Sequence, residues 1–205
     1  MAEEKKMLYG YMQGRMEAFS HDLKNRKAGA ELANLRRGIG HIPGDFPELW
    51  GLIMKDFPDE LLSKTGEPTK GEWAAYISLT LYAMHQQSID VSVNEKDVSI
   101  GRAVGKLISS EDDRERVGRR FNAFASATDI EEAAQHLRGL IRLIKSKKIK
   151  LDYPNLACDL YDYQWGEESR ARVRLRWGQD FYYRNKQNND AAENNNNQSK
   201  EEKES

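Results

Sequence analysis

The chain is poor in the residues that most often carry chemistry. Among 205 residues there is one cysteine, Cys158, and four histidines, His21, His41, His85 and His136. A single cysteine cannot form an internal disulfide, so nothing points to an oxidising compartment. No apolar run approaches the roughly 20 residues a bilayer requires; the longest, Leu49 to Met54, contains a glycine. The charged start, Met1 to Lys6, lacks the apolar centre of a secretory signal. The expectation is a soluble, cytoplasmic protein with no membrane association. Net charge is scarce too. The formal value is -1, and the last twenty residues hold three basic and five acidic groups, which leaves residues 1–185 at +1. Global charge therefore argues for no partner, and any nucleic-acid binding must rest on local basic faces.

What the chain does have is helical periodicity. Ile130, Ala133, Ala134, Leu137, Leu140, Ile141 and Ile144 form a stripe over about four turns. Thr128 with Glu131 is read as its capping box. The same box at Thr69 with Glu72 precedes Trp73, Tyr76, Ile77, Thr80, Leu81 and Met84, predicted to fall on one face. Ser99 is read as the cap of a short helix through Leu107. Ser110 with Asp113 opens another, whose buried side is Val117, Phe121, Phe124 and Ala125. Val173, Trp177 and Phe181 mark a last docking helix, with Asp152, Pro154 and Gly166 as punctuation before it.

Only Asp90 to Val93 alternates like a strand, too short and isolated for a sheet. The fold class expected is all-α: a helical bundle over 1–90, a second over 91–185 joined through Ser88 to Val98, and a disordered polar tail over 186–205, where six asparagines and no large apolar residue occur.

No catalytic constellation emerges. The histidines are scattered, with no second ligand within a turn, so no metal site is predicted. Glu111, Asp112 and Asp113 are consecutive and spread around a helix start, where they complement its dipole. Leu156, Ala157 and Leu160 mark Cys158 as a core thiol. Gly38 to Gly44 follows a helix where a dinucleotide loop would follow a strand, which reads as a glycine cap and turn. The chain is therefore expected to be no enzyme and to bind no cofactor.

Local positive charge remains. Arg102 to Lys148 contains eleven basic and seven acidic residues. Arg138, Arg142 and Lys145 fall at i, i+4 and i+7, on the face predicted to lie away from the apolar stripe, followed by Lys147 and Lys148. Arg116, Arg119 and Arg120 lie similarly on the preceding helix, and residues 170–186 add Arg170, Arg172, Arg174, Arg176, Arg184 and Lys186. Each row alone suits a solvated surface with intrahelical ion pairs. Three rows together suit a phosphate track that reads no bases.

Ten motifs in one order carry a resemblance. They are Leu35-Arg36-Arg37-Gly38, Pro43-Gly44, Pro47-Glu48-Leu49-Trp50, His85-Gln86-Gln87-Ser88, Ile100-Gly101-Arg102-Ala103, Arg119-Arg120-Phe121-Asn122, His136-Leu137-Arg138, Leu151-Asp152-Tyr153, Asp159-Leu160-Tyr161 and the run from Arg176 to Tyr182. Together they resemble the CasB small-subunit family of the type I-E CRISPR Cascade complex.

The resemblance implies a non-catalytic subunit present as two copies beside other Cascade subunits, guide RNA and target DNA, where protein cations hold the single DNA strand displaced by pairing. Arg36, Arg37, Arg102, Arg119, Arg120 and Arg138 lie inside matched motifs; Arg142, Lys145, Lys147 and Lys148 are added by the row geometry. Trp50, Phe121, Leu137 and Trp177 fit helix-packing positions, and Arg119 has Asp112 and Glu115 within ion-pair reach. His85 and His136 fit core or interface hydrogen bonds better than chemistry. The rival readings are a purely structural spacer, a helix-turn-helix regulator of duplex DNA, and an enzyme.

Overall fold

The computed structural model describes residues 2–24 and 28–182; the tail assigned to 186–205, with Tyr183, Arg184 and Lys186, lies outside them. The described residues are helical and connecting segments with no named strand, which bears out the all-α class. The helices are α1 (Ala2–Lys24), α2 (Gly29–Arg37), α3 (Trp50–Ile53), α4 (Lys70–Gln86), α5 (Ile100–Gly105), α6 (Glu111–Ala125), α7 (Ile130–Ser146), α8 (Tyr153–Tyr163) and α9 (167–182).

Helix α4 is the axis of the fold. Thr69 accepts the Glu72 amide at 3.1 Å while Glu72 accepts the Thr69 amide at 2.7 Å, the reciprocal box expected from sequence. The one-sided face expected for α4 is corrected: every residue from Ala74 to Gln86 is buried, polar ones included. A helix this apolar packs on all sides when neighbours cover it, and α1, α2, α7 and α8 do so. α1 has no counterpart in the sequence reading; its Leu8, Met12, Met16 and Phe19 are buried along one face. α8 lies against both α1 and α4, so one continuous cluster of buried side chains spans the chain on either side of Ser88 to Val98.

α7 is amphipathic, with Ala133, Leu137, Leu140, Ile141 and Ile144 buried. Its cap is corrected by one residue. Asp129 accepts the Glu132 amide at 2.8 Å, and Glu132, one place beyond the expected Glu131, accepts the Thr128 amide at 2.7 Å. The Asp129 carboxylate reaches the first free amides and displaces the Thr128 hydroxyl from that role. Ser99, Ser110 and Asp152 cap α5, α6 and α8 as expected, the last with Pro154 in the first turn. Gly166 takes φ +92 before α9. In place of a strand at Asp90 to Val93 there is one bridge between Asn94 and Leu151.

α9 closes the lower face. Trp177 is 1% exposed, stacked on Phe124 at 4.5 Å and Tyr163 at 5.5 Å, and its indole N–H donates to Asp159 at 2.7 Å. Trp50 corrects the packing expectation for its motif: it is 52% exposed, and Leu49 fills the core instead. The short turn Pro47–Leu49 ahead of α3 sets this register. Cys158 is buried, and burial pushes its thiol up to about 12, so it is inert as a nucleophile near neutral pH.

Candidate nucleic-acid interface

The ten candidate cations come from α2, α5, α6 and α7 and its C-terminal end. α2 ends in Arg36 and Arg37, after which Gly40 at φ +84 turns the chain back across α4. This turn is pinned by the Tyr76 hydroxyl, which donates to the Gly38 carbonyl at 2.8 Å. A Cβ on Gly40 would stand 3.6 Å from Nη1 of Arg138, so the turn lies directly over α7. Lys145 is two turns further along α7, and its Nζ donates to the Met84 carbonyl at 2.9 Å, at the end of α4. Burial, and then the neighbouring positive Arg36, lower the Lys145 pKa. The fold thus gathers Arg36, Arg138 and Lys145 on one side of α4, with Arg142 exposed between the two α7 residues.

The row is consequently less solvated than its spacing suggested. Arg138 and Lys145 are half-buried, and only Arg142 of the three stands free. Helix spacing fixes the angle at which a side chain leaves its own axis; the turn at Gly40, almost a hundred residues earlier, supplies the cover. Lys147 and Lys148 are exposed at the end of α7, the latter at φ +55.

The remaining candidates divide by their partners. Arg37 pairs with Glu48 at 2.8 Å and lies over the Phe46 ring. Arg119 approaches Glu115 at 3.8 Å, and the Arg102 guanidinium donates to the Asp97 carbonyl at 2.7 Å. Arg36, Arg120, Arg138, Arg142, Lys147 and Lys148 have no acidic partner among the described residues. Arg120 is exposed on α6, which packs against α7.

The third basic row is structural over its described part. Arg170 and Arg172 pair with Glu167 and Glu168. Arg174 donates to the Ala125 and Ala127 carbonyls at 2.6 and 3.2 Å, closing the end of α6. Arg176 pairs with Asp159 at 2.7 Å. Arg116 is likewise held by Asp113 at 2.6 Å. Four cations of α9 are thus occupied, and of the ten candidates those without an acidic partner among the described residues lie mostly on α2, α7 and the C-terminal end of α7.

The histidines have local partners. His85 is fully buried, with Nδ1 3.0 Å from the Tyr153 hydroxyl, and burial together with nearby Lys145 lowers its pKa to about 4. His136 lies 3.7 Å from Glu132 and His41 lies 3.3 Å from Asp45. Among the described residues there is no group of three or more His, Cys, Asp or Glu placed to hold a metal, and no helix long and apolar enough to cross a membrane.

Between α4, α7 and the Gly40 turn lies a cleft of about 380 Å³, lined by Trp73, Tyr76, His41, Glu131, Gln135 and Arg138 among others.

The family model described as CRISPR-associated protein Cse2 matches residues 31–182. Among solved structures, CasB from Thermobifida fusca is 32% identical with a TM-score of 0.72, covering 86% of this chain and 98% of its own. CasB from M. ruber is 24% identical, with a TM-score of 0.63 over 86% of this chain and 97% of its own, and shares the fold. No curated protein sequence matches the chain.

Proposed function

The chain belongs to the CRISPR-associated Cse2 family and is thereby a subunit of a CRISPR surveillance complex, and we propose that within a type I-E Cascade it binds nucleic-acid backbone and stabilises the R-loop, chiefly by holding the displaced DNA strand. The observation that carries this reading is the gathering of like charge. Arg36, Arg138, Arg142 and Lys145 have no acidic partner among the described residues, and the Lys145 pKa is lowered by burial first and by the neighbouring charge of Arg36 second. Such crowding is unfavourable in the free protein and becomes favourable when phosphates are bound.

Arg36, Arg138, Arg142, Lys145, Lys147 and Lys148 form the principal track, with Arg120 beside it. Arg37, Arg102 and Arg119 contribute after releasing or sharing their present partners. The contacts are to phosphates, so binding is indifferent to sequence; the guide RNA supplies sequence recognition. Exchange of a DNA duplex for an RNA hybrid is nearly balanced, and a few phosphate contacts decide its direction. Two copies in the complex, acting in the cytoplasm without catalysing a reaction, lengthen the track.

A second reading is a structural spacer that joins subunits without touching nucleic acid. Trp50 and Met54, one turn apart and 52% and 36% exposed, favour protein contacts of that kind. Reversing Arg142, Lys145 and Lys148 to glutamate in the assembled complex separates the two. The strand-holding reading expects normal assembly with weaker protection of the displaced strand. Normal assembly with unchanged protection supports the spacer.

A further inference from the structure

The cleft beside Arg138 is not used by a phosphate track. It is bounded by α4 through Trp73, Tyr76, Ile77 and Thr80, by α7 through Glu131, Ala134, Gln135 and Arg138, and by the turn from Ile39 to Ile42. Its walls combine aromatic and aliphatic surface with a few polar groups, the composition of a small-ligand site. On α7, Glu131, Gln135, Arg138, Arg142 and Lys145 follow at spacings of four, three, four and three. They make one continuous stripe, whose first turns line the cleft and whose last turns carry the unpaired cations. The Nε of Arg138 is buried with no hydrogen-bond partner, and the residue has no acidic neighbour in ion-pair range among the described residues. A guanidinium held in that state gains when an acceptor arrives.

The geometry points to a nucleobase pocket: one base of the single strand running along α7 turns out of the strand and enters this cleft. This inference rests on the strand-binding reading. Trp73, Tyr76 and His41 supply ring surface against the base. Arg138 at the inner end of the track donates to a base acceptor. Glu131 and Gln135 offer an acceptor and an amide to its polar edge. Among the described residues, Glu131 is the one carboxylate lining the cleft. It repels phosphate, so the stripe sorts a nucleotide into base inside and phosphate outside, toward Arg142 and Lys145. Tyr76 is kept in place by its bond to Gly38, and Gly40, at φ +84 beside Arg138, keeps the roof free of a side chain.

The test uses the assembled complex with a target whose displaced strand carries 2-aminopurine, or an abasic site, scanned one position at a time. Ala134→Leu fills the cleft and leaves every cation in place. With the native subunit, one position shows quenched 2-aminopurine fluorescence, and an abasic site there weakens strand retention by about fivefold, the lower end of one base–aromatic stack. With Ala134→Leu, the quenching and the abasic penalty disappear while salt-dependent retention persists. Retention with no position-specific quenching in the native complex overturns the pocket and spares the track. Absence of salt-dependent retention overturns both. Loss of subunit incorporation by Ala134→Leu, with strand behaviour of the native complex uniform along its length, assigns the cleft to a protein side chain and overturns the proposal.

Discussion

Alanine at Gly101 is expected to destabilise the fold, although alanine is ordinarily the better helix former. A Cβ there would stand 2.3 Å from the Trp177 carbonyl oxygen, 3.1 Å from its carbonyl carbon and 3.0 Å from Cβ of Asp180. The oxygen belongs to helix backbone and cannot swing aside, so α5 must retreat from α9 by about 1 Å to restore an ordinary carbon–oxygen contact. That movement strains the bond in which the Ser99 hydroxyl donates to Asp180 at 2.5 Å and loosens buried Ala103 and Val104. Overpacking of this kind costs about 1–3 kcal/mol, against at most about 1 kcal/mol returned by helix propensity. A net loss of about 1 kcal/mol lowers Tm by about 2–4 °C in a protein of this size. Gly139 is the internal control. It lies inside α7, and a Cβ there meets nothing within 4 Å. Gly139→Ala is therefore expected to raise Tm by about 2–4 °C. Calorimetry of the two variants decides the matter, and a Gly101→Ala protein as stable as the parent refutes the close approach of α5 to α9.

His85 titrates near 4 when folded and near its ordinary value of 6.5 when unfolded. Only the unfolded state takes up this proton between those values, so stability falls as pH drops through that window, by up to about 3 kcal/mol near pH 4. His85→Gln should flatten the difference in urea stability between pH 7 and pH 4, and an unchanged slope counts against burial of a neutral imidazole. Thr69→Ala removes half of the box that starts α4 and is expected to cost about 1 kcal/mol by urea denaturation; a neutral result contradicts the cap. Neutralising Arg142, Lys145 and Lys148 to glutamine should reduce the slope of log affinity against log salt for the single strand by about 2, from about 0.7 per phosphate contact. A slope unaltered in the assembled complex removes these three from the interface.

The parts of the fold legible in the sequence were those with one wet face. α6, α7 and α9 alternate polar and apolar turns, so their buried residues could be named from spacing. α1 escaped because Gly10 and Gly14, exposed on its outer side, are poor helix formers, and because Arg15 sits among the buried residues of its apolar stripe. α4 was recognised, but its burial on every side depends on four other helices and no local pattern announces it. Trp50 illustrates the converse: a large aromatic in a motif suggests core, yet the turn at Pro47 rotates it outward and Leu49 inward.

For the candidate interface, spacing put Arg138, Arg142 and Lys145 on one face of a helix. It could not reveal that Arg36 comes to lie beside Lys145, or that the Gly40 turn covers Arg138, because both contacts join segments far apart in the chain. Nor could it remove the arginines of α9, whose partners include the Ala125 carbonyl and Asp159 on other helices.

The central claim is that this subunit holds the displaced strand. The direct measurement is the lifetime of the R-loop, with single-strand footprinting of the displaced DNA, in complexes assembled with and without the subunit. The account predicts a shorter lifetime and loss of protection when the subunit is omitted. An equal lifetime and an identical footprint, with incorporation of the subunit verified, contradict it.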